Sequence, residues 1–146
     1  MREILFRGKR KDNNELVEGY LVKLGRESFS DPERYGICNT AIPLLGSGIC
    51  YNLKIDEIIP ETAGQYTGLE DKNGKKIFEG DILEFSDRLV VVFWRTNLGC
   101  WDCEFLKFTN RENSRDDMSP PNWKYKGKVI GNIHDNPELL KGGEQE

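Results

Sequence analysis

The stretch QYTGLEDKNGKKIFEGDILEF, residues 65–85, contains the strongest fold signals in this chain of 146 residues. Asn73-Gly74 places two residues that tolerate positive φ between two apolar segments, which predicts a type I′ hairpin turn. Gly80 predicts a second reversal at a backbone conformation that a Cβ disfavours, and the Asp81 side chain is expected to accept backbone N–H groups there. The stretch therefore predicts a tightly specified hairpin rather than a catalytic or ligand-binding loop. The side chains expected to face a core are Ile77, Ile82 and Phe85.

Short apolar segments separated by turn residues continue on both sides of this stretch. Residues 2–22 predict a β-hairpin, and RLVVVFWRT, residues 88–96, predicts a buried strand. WKYKGKVIGNI, residues 123–133, predicts the last strand, and NPELLKGG after it predicts a short terminal helix. No long helical pattern separates the strands, which favours a small half-open barrel of the SH3 kind.

The sequence thus predicts a mostly β (β-rich α+β) protein. Residues 1–62 are expected to form an N-terminal β-rich region that begins with the hairpin. Residues 63–146 are expected to form the SH3-like barrel with the short terminal helix.

Composition and charge narrow the classes of function. The net charge is -4 and the sequence pI is about 5.2, so a surface that grips nucleic acid all round is not expected. No apolar run of about 18 residues occurs, so no membrane-spanning helix is expected. The N-terminal residues contain only a short apolar run before charge returns, unlike a signal peptide. We therefore expect a cytoplasmic protein with reduced cysteines and no membrane partner.

Four cysteines, Cys38, Cys50, Cys100 and Cys103, are the candidates for metal or redox chemistry. Cys100 and Cys103 form a C-x-x-C pattern, but its flanks predict a strand, on which residues three apart point to opposite faces. Thioredoxin-like chemistry would require this pattern at a helix N-terminus. A zinc site would also need Cys38 and Cys50, whose spacing is not that of a usual zinc knuckle. We expect structural cysteines and no cofactor, with a cysteine-based zinc protein as one alternative.

No converging catalytic set is visible in the sequence. His134 is the only histidine, and it lies beside Asp135 just before the predicted terminal helix. The acidic residues Glu70, Asp71, Glu79 and Asp81 alternate with lysines and have turn or surface explanations. We therefore expect a protein without enzymatic activity.

Two basic stretches provide the residues for a nucleic-acid-binding alternative. RGKRK, residues 7–11, contributes Arg7, Lys9, Arg10 and Lys11, and WKYKGK, residues 123–128, contributes Lys124, Lys126 and Lys128. In the second stretch, strand alternation places the lysines on one face and the aromatic residues on the other. A base-stacking platform needs both kinds of residue on one exposed face. The alternation therefore favours buried aromatic residues and solvated lysines, and nucleic-acid binding by a small barrel is kept as the alternative.

Three blocks of the sequence resemble the YopX family of phage and prophage proteins. They are MREILFRGKR followed by VEGYLV, then ETAGQYTGLEDKNGKKIFEGDIL, then VIGNIHDNPELL, and they reach from the first residue to about Leu140. The resemblance implies a mostly β protein with an SH3-like barrel in its C-terminal half, self-association, and a gene carried by a phage or prophage. It brings no catalytic residue.

The leading hypothesis is a non-enzymatic accessory protein that acts through protein–protein contacts. The expected partners are its own copies, in a homo-oligomer, or a host or phage protein. Exposed edge strands of a small barrel suit either kind of partner.

Overall fold

The computed structural model describes residues 2–43, 51–85, 87–109 and 127–141. The described chain is mostly antiparallel β-structure and contains no helix of seven or more residues, which confirms the predicted mostly β class. No helical segment in it has the length and apolar character needed to cross a membrane. The strands are β1 (Phe6–Lys9), β2 (Leu16–Leu24), β3 (Arg34–Pro43), β4 (Tyr51–Ile58), β5 (Gly64–Glu70), β6 (Lys76–Phe78), β7 (Asp81–Glu84), β8 (Arg88–Arg95), β9 (Cys100–Phe108) and β10 (Lys128–Asn132).

The chain divides into two compact units, Met1–Tyr66 and Thr67–Glu146, and the boundary falls inside β5. In the first unit the strand order is β4-β3-β2-β1-β5. β1 and β2 pair antiparallel, with Phe6 opposite Gly19, so the predicted N-terminal hairpin is confirmed. A single 3-10 turn, Pro60–Thr62, lies between β4 and β5.

The first unit curls so that the end of β1 meets the end of β4. The N–H of Ile59 donates to the carbonyl of Lys9 at 2.9 Å, and the N–H of Lys11 donates to that of Glu57 at 2.9 Å. The close approach depends on Gly8, because a Cβ there would lie 2.7 Å from Ile58 Cδ1. Ile58 is 1% exposed and belongs to an apolar interior. Among the residues whose burial is described, the other buried apolar residues of this unit are Leu5, Ile37 and Tyr66.

The second unit contains a four-stranded antiparallel sheet in the order β10-β7-β8-β9. Its β8 alternates, with Val90 and Val92 buried in the core, as expected for a strand with one face inward. The core cluster consists of Ile77, Leu83, Val90, Val92, Cys103 and Val129, with Phe85 and Trp101 packed against it. Closure of this sheet into an SH3-like barrel stays a prediction.

For the end of the chain, the sequence predicts a last strand over residues 123–133 and a short terminal helix. β10 begins at Lys128, and residues 123–126 of the predicted last strand lie outside the described residues. The terminal helix is a single 3-10 turn, Pro137–Leu139. Asn136 precedes this turn, but its side chain does not cap it.

Candidate functional site

Asp71, in the turn between β5 and β6, is a buried carboxylate that joins two distant parts of the second unit. It is 2% exposed. Its Oδ1 accepts the backbone N–H groups of Asn73 at 2.8 Å and Lys75 at 2.9 Å, and its Oδ2 accepts that of Val129 in β10 at 3.0 Å. Burial acts to raise the pKa of Asp71, but the three hydrogen bonds hold that pKa below its ordinary value. Asp71 is therefore a charged structural acceptor.

The turn that follows Asp71 differs from the predicted one. Gly74 has a φ of +80°, but Asn73 does not have a positive φ. The predicted type I′ turn is wrong, because that turn needs positive φ at both residues. Instead, the N–H of Asp71 donates to the carbonyl of Lys75 at 2.8 Å, in a wider turn with one left-handed glycine. The Asp71 side chain stabilises this turn by accepting the N–H of Asn73.

The second reversal lies at Gly80 and Asp81. Gly80 has a φ of +84°, its N–H donates to the carbonyl of Val92 at 2.8 Å, and its carbonyl accepts the N–H of Ile133 at 2.9 Å. The fully buried Asp81 accepts the N–H of Phe78 at 2.9 Å. This reversal therefore connects β7 to β8 and to the segment after β10.

Asn132 organises that segment, which contains the only histidine of the chain. Its Oδ1 accepts the backbone N–H groups of His134 at 3.0 Å and Asp135 at 2.9 Å, and its Nδ2 donates to the Asp135 carboxylate at 2.9 Å. Asn132 is 6% exposed, so these bonds are shielded from water. The distinctive blocks around residues 65–85 and 129–140 are thus joined by hydrogen bonds that hold turns in place.

The cysteines of β9 lie on opposite faces of the sheet. Cys100 is exposed, and Cys103 is 8% exposed and lies opposite Val92 in the core. Burial, together with the nearby charge of Asp102, raises the pKa of Cys103 to about 12. The two thiols therefore do not converge on one metal ion.

The remaining cysteines do not complete a metal site among the described residues. Cys38 lies in β3 of the first unit, and Cys50 lies outside the described residues. The described part of the chain contains no group of three or more His, Cys, Asp and Glu side chains that could hold a metal ion.

Two residues of the N-terminal basic stretch are held in ion pairs. Arg10 Nη2 lies 2.7 Å from Asp12 Oδ2, and its Nε lies 3.7 Å from Asp56 Oδ1. Lys11 Nζ lies 3.3 Å from Glu57 Oε1. Carboxylates therefore already neutralise much of the charge that the nucleic-acid alternative assigns to this stretch.

The other basic candidates lie in different environments. Arg7 is 8% exposed, so little of its side chain is open to a ligand, and Lys9 is partly exposed. Lys128 is exposed at the start of β10. Lys124 and Lys126 lie outside the described residues.

Among the described strands of the second unit, β9 lies at an edge of the sheet. In the described part of the chain it pairs only with β8, from Phe108 opposite Arg88 to Cys100 opposite Arg95. A bulge at Leu106 interrupts the register, so regular pairing covers residues 100–105. The backbone N–H and C=O groups along the side away from β8 form a template on which another strand can pair.

One row of side chains beside this edge, called here the aromatic row, consists of Trp101, Cys103 and Phe105. Trp101 and Phe105 point to the core side, opposite Trp94 and Val90 of β8. The rings of Trp94 and Trp101 meet edge to face, with centroids 5.0 Å apart, and Trp94 is 40% exposed. Leu98, in the turn between the strands, is 66% exposed. Apolar surface therefore remains open at this end of the sheet.

The indole of Trp101 carries an unsatisfied donor. Its Nε1 is buried and has no hydrogen-bond partner in the described structure. A buried donor without an acceptor costs about 1–3 kcal/mol, and such groups in native structures call for an explanation. The Trp101 N–H beside the edge therefore lacks a hydrogen-bond acceptor in the described structure.

The other row beside the edge is acidic. Asp102 Oδ2 accepts Arg95 Nε at 2.6 Å, and its Oδ1 accepts the N–H of Cys103 at 2.7 Å. Glu104 is exposed and has no ion pair or side-chain hydrogen bond among the described residues. Among the described residues, Glu104 is therefore an acidic side chain of this edge that no cation neutralises.

Reasoning from sequence identified both strands but missed this edge as a candidate site. A usable signal was present, because Trp94 and Trp101 flank the short turn that contains Gly99. Hairpin pairing around such a turn brings the two indoles opposite each other. What the pattern did not reveal is that the second strand lies at the edge of its sheet.

Comparison with known proteins yields a protein family and similar solved structures. The family model described as "YopX protein" matches residues 5–141. The crystal structure of protein EF1440 from Enterococcus faecalis is similar, with 25% sequence identity and a TM-score of 0.53. That similarity covers 97% of this chain and 100% of the other. None of the curated proteins compared with this chain matches it significantly.

Proposed function

The chain belongs to the YopX protein family, and on that premise we propose that it is a phage- or prophage-encoded accessory protein of the bacterial cytoplasm. It acts without catalysis, by binding an extended polypeptide segment. The segment belongs to a host or phage protein or to a second copy of this chain, which would make a homo-oligomer.

The observation that carries this proposal is the edge of β9, which no other described strand pairs with, together with the aromatic row beside it. An extended segment that pairs with an edge strand gains main-chain hydrogen bonds, and side-chain pockets on either side supply specificity. β9 is nine residues long, which is ample for such pairing. Trp94, Leu98 and Trp101 supply partly exposed apolar surface beside it.

The chemistry of the buried polar groups agrees with a non-catalytic role. Asp71, Asp81 and Asn132 each bind backbone groups of turns. The raised pKa of Cys103 makes that thiol a poor nucleophile at neutral pH.

The test is site-specific photo-crosslinking in the bacterial host. A photoreactive amino acid replaces Glu104 at the edge, and a matched variant carries it at Glu61, which is exposed in the first unit. We expect discrete polypeptide adducts from position 104 that are absent from position 61 and that persist after nuclease treatment. Equal labelling at both positions, or adducts that disappear with nuclease, would contradict the proposal.

A further inference from the structure

The charges along β9 determine which kind of strand its edge can accept. Resting on the function proposed above, we infer that the edge binds an extended segment with Lys or Arg opposite Glu104, and not a second copy of β9. Three observations lead to this partner: the register of the strand, the charges along it and the aromatic row beside it.

The register of β9 determines which residues would face each other if the β9 strands of two copies paired. Regular pairing covers residues 100–105, before the bulge. If two such edges paired antiparallel with a two-fold axis at Asp102, that residue would face its own copy. With the axis at Cys103, Asp102 would face Glu104 twice, and with the axis at Glu104, that residue would face its own copy.

Each of these registers therefore sets carboxylate against carboxylate. Directly opposite residues in an antiparallel pair have Cβ atoms about 4.5–5.5 Å apart, and like charges at that separation are destabilising. Charges on an edge strand are a known device against pairing between copies of one protein. In β9 these charges are Asp102 and Glu104, in the middle of the regularly paired residues 100–105.

A cationic partner turns the same charges into a recognition feature. Asp102 is already bound to Arg95 and to the N–H of Cys103, whereas Glu104 has no partner in the described structure. A Lys or Arg opposite Glu104 would form the cross-strand ion pair that β9 lacks. Lys107 follows on the same side beyond the bulge, opposite Leu89, and favours an acidic residue toward that end of the segment.

The residues that flank this cation in the partner would be apolar. Neighbours in a strand point to the opposite face, so these residues would lie opposite Cys103 and Phe105, and Trp101 is the next residue on that face after Cys103. A carbonyl of an added segment could also accept the unsatisfied Trp101 N–H once the indole shifts to meet it. The expected partner pattern is apolar, basic, apolar in an extended conformation.

The test compares two labelled nine-residue peptides by fluorescence anisotropy with the full chain. Both alternate valine and threonine, and they differ only in a central Lys or Glu. We expect the Lys peptide to bind about fivefold more tightly, in line with a cross-strand charge pair. Glu104→Lys should reverse the preference. The control Glu61→Lys, which makes the same change of net charge elsewhere, should leave it intact.

A Trp101→Phe variant tests the apolar contact separately from the charge pair. It should bind both peptides more weakly, while the preference for Lys over Glu persists. Equal binding of the two peptides by the wild type, or a preference that Glu104→Lys does not alter, would overturn the inference.

Failure of this inference can be told apart from failure of the proposed function. If position 104 crosslinks only to β9 of a second copy, or to a polypeptide while neither peptide binds, the basic-segment inference is overturned and polypeptide binding stands. If position 104 crosslinks to nothing and neither peptide binds, both are overturned.

Discussion

At the scale of single residues, three buried polar side chains in this protein accept hydrogen bonds from backbone N–H groups. Asp71, Asp81 and Asn132 are nearly inaccessible, and each accepts N–H groups that the strands leave without partners. A buried N–H without an acceptor destabilises the folded state, so each of these side chains contributes substantially to the free energy of unfolding. Within the acidic set that most resembled a reactive cluster, Asp71 and Asp81 are therefore acceptors for backbone N–H groups.

Replacing Asp71 with Ala should lower the free energy of unfolding by about 3 kcal/mol or more, because three backbone N–H groups lose their acceptor. Asp71→Asn should lose about half as much, since it keeps one acceptor oxygen. Urea unfolding measures both changes. Asp12→Ala, at an exposed carboxylate, is the control and should unfold close to the wild-type midpoint. An Asp71→Ala midpoint equal to that of the control would contradict this account.

The two thiols of β9 should differ sharply in reactivity. At about pH 8, iodoacetamide should modify Cys100 rapidly and leave Cys103 almost untouched, because the thiolate is the reactive form and the pKa of Cys103 is raised to about 12. Peptide mass spectrometry over a time course provides the measurement. In concentrated guanidinium the rates should become similar, and comparable rates in the native protein would show that Cys103 is not buried as described.

At the scale of elements, surface carboxylates tie neighbouring strands of the first unit together. Glu33 binds Lys23 at 2.6 Å, Tyr35 at 2.8 Å and Arg26 at 2.8 Å, and these hydrogen bonds lower its pKa to about 2. Glu57 in β4 makes a two-pronged contact with Arg34 in β3, at 2.9 and 2.8 Å. That contact, with help from Lys11, also lowers the pKa of Glu57 to about 2.

These two carboxylates predict an acid-dependent loss of stability. Their pKa values fall from 4.5 in the unfolded chain to about 2 in the folded one. Their contribution is therefore fully present above pH 4.5 and is lost as pH falls toward 2. Urea midpoints measured across this range should decline, and the decline should be shallower in a Glu33→Gln, Glu57→Gln variant. Identical profiles for variant and wild type would show that these two carboxylates do not cause the acid-dependent loss of stability.

At the scale of the whole molecule, net charge and ion pairing weigh against nucleic acid as the main partner. The chain carries a net charge of -4. Arg10 and Lys11, in the basic stretch closest to the N-terminus, are already paired with carboxylates. A ligand phosphate would have to displace those partners.

Single-stranded DNA should therefore bind weakly at low salt and be released by about 0.15–0.2 M salt, where counterion effects reduce phosphate contacts steeply. Fluorescence anisotropy across a salt series measures this. Lys128→Glu, at an exposed lysine, should weaken the low-salt binding further. Tight binding that persists at physiological salt would instead favour the nucleic-acid alternative.

Local chemistry in the sequence determined the strands, the two glycine reversals and the mostly β class. Alternating apolar residues predict a strand wherever one face is buried, and Gly74 and Gly80 have the positive φ that other residues avoid. Only the tertiary structure decided the form of the turn at Asn73, because Asp71 reaches Val129 across the chain and accepts the N–H of Asn73 on the way. It likewise decided that, among the described residues, β9 lies at an edge and Glu104 has no ion-pair partner, since strand order depends on contacts between residues far apart in sequence.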